Sequence, residues 1–80
     1  MLQELKTAKK VVGVKQLRKV LREGNAERIY LAEDADPRLT ESIAADAESA
    51  GVPVSRVPTM AELGAACAID VGAAAVAIVR

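Results

Sequence analysis

The spacing of apolar residues changes along the chain in a regular order. Short segments at residues 10–13, 28–32, 52–57 and 73–79 are rich in aliphatic side chains, and those at 28–32 and 73–79 are continuously apolar from Ile29 and Ala73 onward. Between these runs, apolar residues recur three and four positions apart, the period of a helix that is buried on one side. Continuous runs without alternation are typical of strands that are covered on both faces. The pattern therefore predicts an α/β domain in which helices of about ten residues cover both faces of a sheet.

Three helices can be placed by their capping residues and breakers. Residues 14–23 form the first, which ends at Gly24. The second begins at Asp36, which suits the N-cap, with Pro37 in the first turn. Thr59 precedes the third, with Glu62 three residues later in a capping-box arrangement. The predicted core residues of these helices are Leu17, Val20, Leu21, Leu39, Ile43, Ala44, Ala47, Leu63, Ala66 and Cys67, and a further short amphipathic segment contains Leu2, Leu5 and Ala8.

Composition excludes several classes of function. Tyr30 is the only aromatic residue among 80, so the chain lacks the rings on which many single-strand binders stack bases. The chain contains no histidine, which excludes catalytic triads that contain histidine and zinc sites with histidine ligands. Cys67 is the only cysteine and fits a reducing compartment and a buried position better than a reactive thiol. With no signal peptide or membrane-length apolar run, a cytoplasmic protein of one domain, residues 1–80, is expected.

Charge is unevenly distributed although the whole chain is formally neutral. Residues 1–28 contain eight basic and three acidic residues, a net charge of +5, and residues 29–80 contain three basic and eight acidic residues, a net charge of −5. On a helical wheel the cations of the first helix fall within an arc of about 100°, opposite its apolar residues. Such a face suits a polyanion, although a solvated basic surface is the ordinary alternative. The members of this arc are Lys15, Arg18, Lys19 and Arg22.

The start of the first helix adds to this basic face. Gly13 precedes the helix, where the lack of a side chain allows a ligand to approach the backbone closely. The free amide groups of a first helical turn and the positive end of the helix dipole form an anion site. Lys15 lies in that turn and would add its own charge to the site.

Two other segments are candidates for chemistry. Glu33, Asp34 and Asp36 follow a strand and could hold Mg²⁺, as in a metal-dependent hydrolase, or could simply end the strand and cap the next helix. The segment 57–60 could form a rigid apolar ledge against a partner, or Thr59 could act only as a helix cap. No nucleophile or phosphate-binding loop accompanies the acidic segment. We expect no enzymatic activity, no bound metal and no cofactor.

Four blocks of sequence occur in a characteristic order, at residues 13–19, 32–34, 57–64 and 73–78. Together they resemble the kink-turn RNA-binding ribosomal proteins of the L-seven-Ae family, and they are most similar to its short bacterial members. The family is a three-layer α/β/α sandwich, which implies a central mixed sheet of about four strands here. Its ligand is an RNA helix bent sharply by a three-nucleotide bulge and tandem sheared G·A pairs.

The resemblance implies specific roles for these residues. Gly13, Lys15, Gln16 and Lys19 match the positions that meet the G·A pairs, where lysines would donate to guanine O6 and N7. Val57, Pro58 and Thr59 match the loop that packs against the extruded nucleotide. On the basis of the helical arc we expect phosphate contacts from Lys10, Arg18 and Arg22. The implied partner is a structured RNA with a kink-turn, such as ribosomal RNA or a riboswitch, bound by a monomer, with no role for DNA or membranes.

The chain departs from the family pattern at three positions. Lys15 and Gln16 replace the archaeal asparagine and glutamate, so contacts at the G·A pairs would be less selective and more dependent on salt. Ala68 stands where relatives usually have glycine, and the alanine would cost up to about 1 kcal/mol of stability if the backbone there is left-handed.

A different function is also open, in which the chain is a protein-interaction module whose basic helix docks on an acidic partner.

Overall fold

The computed structural model describes residues 9–80, which form four strands and three helices in alternation. The predicted amphipathic segment with Leu2, Leu5 and Ala8 lies outside the described residues. In chain order the elements are β1 (Lys10–Val12), α1 (Val14–Arg22), β2 (Ala26–Ala32), α2 (Pro37–Ser49), β3 (Val54–Val57), α3 (Met60–Ala66) and β4 (Ala75–Val79).

The four strands form one mixed sheet in the order β1-β4-β2-β3. β4 runs antiparallel to both of its neighbours, whereas β2 and β3 are parallel. β1, β2 and β3 therefore all run in the same direction. Each of these strands is followed directly by a helix, so all three helices begin at the same edge of the sheet.

Helices cover both faces of the sheet, as predicted from the continuous apolar runs. Side chains on β2 alternate between two core clusters, with Ile29 and Leu31 on one face and Tyr30 and Ala32 on the other. The first cluster contains the buried residues of α1 and α2, and the second contains those of α3. The predicted three-layer sandwich is confirmed. Between residues 9 and 80, no helix is both long and apolar enough to cross a bilayer.

Two strands begin later than predicted because their first residues bond elsewhere. The run at 52–57 is a strand only from Val54, because the amide of Val52 donates to the Ala47 carbonyl in α2 at 2.8 Å. The Pro53 carbonyl still accepts from the amide of Ile29 in β2 at 3.0 Å. Proline has no amide proton, which limits its part in a ladder. The run at 73–79 is a strand only from Ala75, because the amide of Ala73 donates to the Met60 carbonyl in α3 at 3.0 Å.

The predicted start of α2 is confirmed, and its buried face contains one residue that periodicity did not select. The Asp36 carboxylate accepts from the Arg38 amide at 2.9 Å, and Pro37 occupies the first turn. Thr40 is 5% exposed, and its hydroxyl group donates to main-chain carbonyls in the preceding turn. The threonine side chain is polar, but these hydrogen bonds to the preceding turn satisfy its hydroxyl group and allow the side chain to be buried.

The turn after α3 has a left-handed backbone at Ala68, where φ is 61°. The condition under which alanine would be less favourable than glycine at this position is therefore met. The same turn passes close to Gly64, since a methyl group at Gly64 would overlap the carbonyl oxygen of Val71. Gly64 thus allows the loop after α3 to pack directly on the helix.

Candidate functional site

Gly13, the first turn of α1 and the predicted loop residues Val57, Pro58 and Thr59 lie at the sheet edge where all three helices begin. Gly13, at the end of β1, donates its amide to the Ala75 carbonyl at 3.1 Å, which joins the start of α1 to β4. One strand further along, the amide of Ala32 donates to the Ala74 carbonyl at 2.9 Å. The amide of Glu33 then donates to the Val57 carbonyl at 2.8 Å. Three strand spacings separate β1 from β3, so this edge is about 14 Å wide.

The start of α1 differs from the other helix starts because no side chain caps it. Gly13 occupies the N-cap position with φ 106° and ψ 150°, a conformation that a residue with a side chain rarely adopts. In contrast, α2 is capped by Asp36, and α3 is capped by Thr59, whose hydroxyl accepts from the Glu62 amide at 3.1 Å. The first-turn amides of α1 are thus left for another acceptor, at the positive end of the helix dipole.

Most of the predicted basic arc on α1 faces solvent. Lys15, Gln16, Lys19 and Arg22 are all exposed, whereas Leu17, on the opposite side, is fully buried. Within residues 9–80 the ion pairs involve only Arg18 and Arg38 as cations, so neither lysine of α1 is held by a carboxylate of that region. The lysines are therefore accessible to an external anion.

Arg18 differs from the rest of the arc because α2 already binds its guanidinium group. One nitrogen donates to the Asp46 carboxylate at 3.0 Å and the other donates to the Ser42 hydroxyl at 3.2 Å. Both side chains of the pair remain partly exposed, 38% for Arg18 and 55% for Asp46. The phosphate contact expected for Arg18 stays a prediction, since its guanidinium would have to leave or share these partners.

Lys10 lies apart from the α1 arc. It is half-buried on β1, next to Val11, which packs against the α1 and α2 side of the sheet. Neighbouring side chains on a strand point to opposite faces, so Lys10 lies on the α3 side. Consistent with this, its charge acts on the thiol of Cys67, which belongs to the α3 core cluster. Lys10 and the α1 arc therefore cannot contact the same short stretch of phosphates from one face.

The three residues of the predicted loop contact have different environments. Val57 is only 3% exposed and packs in the α3 core cluster, so its side chain contributes to the fold. Pro58 is exposed at the loop tip, and Thr59 is half-buried with its hydroxyl engaged in the α3 cap. Of the three, Pro58 presents the accessible apolar surface.

The acidic segment at residues 33–36 serves the fold. Asp36 caps α2, and the Asp34 carboxylate accepts from the Met60 amide at 2.8 Å, which gives α3 a second acceptor from a distant loop. In the part of the chain that the structure describes, no three acidic, cysteine or histidine side chains are grouped to hold a metal ion. Sequence reasoning recognised the cap at Asp36 but did not find the role of Asp34 in α3.

One exposed apolar residue at this edge was not selected from the sequence. Val71 is 71% exposed, in the loop that returns from α3 to β4, where the following residue, Gly72, lies against Met60. Its position between Asp70 and Gly72, both typical of loops, was the available signal. A single exposed valine is common on protein surfaces, so only its place at this edge makes it notable.

Cys67 is a core residue, as predicted. Burial raises the pKa of its thiol, and the charge of Lys10 opposes that rise. A thiol that stays protonated is a weak nucleophile, so the side chain is suited to packing and not to catalysis.

Comparison with known proteins gives concordant results. The family model described as ribosomal protein L7Ae/L30e/S12e/Gadd45 matches residues 1–80. RNA-binding protein YbxF of Geobacillus stearothermophilus is 50% identical over 76 residues, which cover 95% of this chain and 93% of that protein. An RNA-binding protein of Caldanaerobacter subterraneus subsp. tengcongensis is 39% identical over 69 residues, 86% of this chain and 84% of the relative.

Solved structures show the same fold. The 15.5kD RNA-binding protein of Giardia lamblia superposes with a TM-score of 0.89 at 27% identity, over 99% of this chain and 70% of that protein. A protein of unknown function from Bacillus halodurans C also has a TM-score of 0.89, at 20% identity, over 99% of this chain and 83% of that protein. The second likeness supports the fold alone.

Proposed function

We propose, because the chain belongs to the ribosomal protein L7Ae/L30e/S12e/Gadd45 family, that it is a non-enzymatic RNA-binding protein specific for kink-turns. Its partner would be a structured RNA with sheared G·A pairs beside a bulge, such as ribosomal RNA or a riboswitch. The proposal includes a monomeric, cytoplasmic protein that needs neither metal nor cofactor. The relatives YbxF and the 15.5kD protein are themselves named RNA-binding proteins.

The observation that carries this proposal is the uncapped start of α1 with two accessible lysines beside it. Gly13 leaves the first-turn amides open, and Lys15 and Lys19 are exposed and outside the ion pairs of residues 9–80. A helix start with these features offers several hydrogen-bond donors and no acceptor carboxylate. It therefore suits the acceptor atoms of a nucleic acid, which are phosphate oxygens and purine O6 and N7.

Only distorted RNA can present those base atoms to a protein helix. The major groove of regular A-form RNA is too narrow for side chains, whereas a bend with non-Watson–Crick pairs opens it. Tyr30, the only aromatic residue, is fully buried, so stacking of unpaired bases on an aromatic ring is not available to this chain. Shape-dependent binding through α1 is consistent with both facts.

The other residues of the edge would support this contact. Pro58 and Val71 provide exposed apolar surface for a base that leaves the stack, while Val57 holds the loop from within the core. Gln16 would add an amide that can both donate and accept. Arg22 is exposed and outside the ion pairs of residues 9–80, so it is available to a phosphate, whereas Lys10 would reach only RNA on the α3 side. Binding would favour the bent RNA, so the protein could assist RNA folding or assembly.

The test compares a kink-turn RNA with the same RNA in which the G·A pairs are replaced by Watson–Crick pairs. We expect much tighter binding to the kink-turn in an electrophoretic or fluorescence assay at fixed salt. Equal affinity for the two RNAs would exclude kink-turn specificity. If the protein instead keeps a cellular partner after ribonuclease treatment, the basic helix docks on a protein.

Lys19 provides a residue-level prediction within this proposal. Lys19→Ala should weaken binding to the kink-turn by about 1–3 kcal/mol, the typical contribution of a base-edge contact. Lys9→Ala is the matched control, because Lys9 is exposed but precedes β1, at the opposite end of that strand from Gly13. Equal effects of the two substitutions would mean that Lys19 contributes only general charge.

A further inference from the structure

The contact between Arg18 and α2 divides the basic arc into two kinds of cation. Arg18 and Arg22 are one helical turn apart on α1, and both line a groove of about 390 Å³ between α1 and α2. Opposite Arg18 the groove contains the carboxylate of Asp46, whereas the next turn of α2 contributes Ser49. α2 thus places an acid against one arginine and a neutral side chain near the other.

From this arrangement we propose that Asp46 is an affinity- and specificity-determining residue, because it holds the Arg18 guanidinium away from RNA phosphates. The proposal rests on the RNA-binding function proposed above. In the free protein Arg18 bonds to Asp46 at 3.0 Å and to Ser42 at 3.2 Å. A phosphate that bonds to Arg18 must displace these acceptors or share the guanidinium group with them, and the Asp46 carboxylate has already neutralised its charge.

Core packing argues against a mainly structural role for the ion pair. Leu17, Val20 and Leu21 on α1 are at most 9% exposed and pack against the sheet, so they already set the position of the helix. The pair itself is partly exposed, with Arg18 at 38% and Asp46 at 55%. Ion pairs in such positions contribute little to stability because water screens them. Loss of the pair should therefore leave the fold nearly unchanged.

The effect of Asp46 on RNA selectivity follows from the nature of phosphate contacts. Contacts to phosphate increase affinity for every RNA and carry no direct sequence information. A free Arg18 would strengthen binding to ordinary duplexes along with kink-turns. By occupying Arg18, Asp46 lowers this general attraction and leaves recognition to the helix start, where Lys15 and Lys19 are unpaired within residues 9–80.

The decisive experiment measures the salt dependence of RNA affinity for Asp46→Asn and a matched control. The Asp46→Asn variant should bind a regular RNA duplex about three- to tenfold more tightly at low salt, because Arg18 is released. The slope of the logarithm of the association constant against the logarithm of the salt concentration should steepen by about 0.7–0.9, the change expected for one additional phosphate contact. The control is Glu41→Gln, which removes the same charge from α2 at an exposed residue that does not line the groove. It should leave the slope unchanged.

A second pair of variants tests the dependence on Arg18. In an Arg18→Met background, Asp46→Asn should no longer change the slope, because the cation that it releases is absent. Thermal melts of each variant should agree within a few degrees.

Several results would overturn the proposal: weaker RNA binding by Asp46→Asn, an equal slope change in Glu41→Gln, or a full effect of Asp46→Asn without Arg18. Kink-turn specificity is tested separately, by the ratio of affinities for the intact and G·A-disrupted RNAs. Loss of that ratio in the unmodified protein would exclude the proposed function. The slope comparison on a plain duplex would still decide the role of Asp46.

Discussion

Ala68→Gly should make this protein more stable, although it removes a methyl group. Ala68 adopts a left-handed backbone conformation with φ 61° immediately after α3. Its side chain is exposed, so truncation removes no core packing. Its amide donates to the Ala65 carbonyl at 3.0 Å, and glycine can make the same bond. The substitution therefore relieves backbone strain without the loss of a contact.

The size of the effect follows from two opposing terms. A left-handed conformation costs an L-residue about 1–2 kcal/mol. Glycine loses about 0.5–1 kcal/mol more conformational entropy than alanine on folding. The net gain is about 0.5–1 kcal/mol, and an unfolding entropy of about 2.1 cal/mol/K per residue converts this into a rise in Tm of about 3–6 °C for an 80-residue chain.

Urea denaturation and thermal melts followed by circular dichroism would measure this change. Ala45→Gly is the matched control, because Ala45 is exposed inside α2 with an ordinary helical backbone. There the same substitution should destabilise the protein by about 1 kcal/mol. The reasoning is refuted if Ala68→Gly lowers the urea midpoint or if both substitutions shift stability in the same direction.

Three further predictions concern the loop edge and the core. Gly64→Ala should destabilise the protein by about 1–3 kcal/mol or more in urea titrations, because a methyl group there overlaps the backbone of the following loop. Asp34→Ala should cost about 1 kcal/mol through loss of a bond to the α3 start, whereas Glu33→Ala, which removes an exposed carboxylate, should cost little. Burial raises the folded-state pKa of Cys67, so its unfolded thiol ionises first. Above about pH 8.5, the usual thiol pKa, the free energy of unfolding should fall, and Cys67→Ala should reduce this fall. An equal pH dependence in the two proteins would contradict the last prediction.

Local sequence signals were sufficient to place the helices because their limits depend on neighbouring residues. The side chains of Asp36 and Thr59 accept hydrogen bonds from amides two and three positions further along the chain. The structure shows both caps where they were predicted. At both caps the interacting groups lie within one helical turn, so sequence spacing determines the geometry. The left-handed turn at Ala68 was suggested only by the glycine that relatives have there, because alanine itself gives no such signal.

Structural features that depend on residues distant in sequence could not be predicted from local sequence signals. The late start of β4 results from a bond between Ala73 and Met60, and the second cap of α3 comes from Asp34. A helical wheel places Arg18 on the basic arc but cannot show that α2 packs beside it and supplies Asp46. These contacts exist only because the sheet brings separate segments together, and the periodicity of one segment has no information about its neighbours.

The position of β4 in the sheet has a consequence for biosynthesis. β1 pairs only with β4 within the described sheet, and Gly13 is held by the Ala75 carbonyl. A nascent chain that lacks residues 75–79 therefore has no pairing partner for its first strand and lacks the carbonyl group that holds the Gly13 amide. β4 must therefore be translated before the start of α1 can take its final form, and a growing polypeptide would not bind RNA through the proposed site until then.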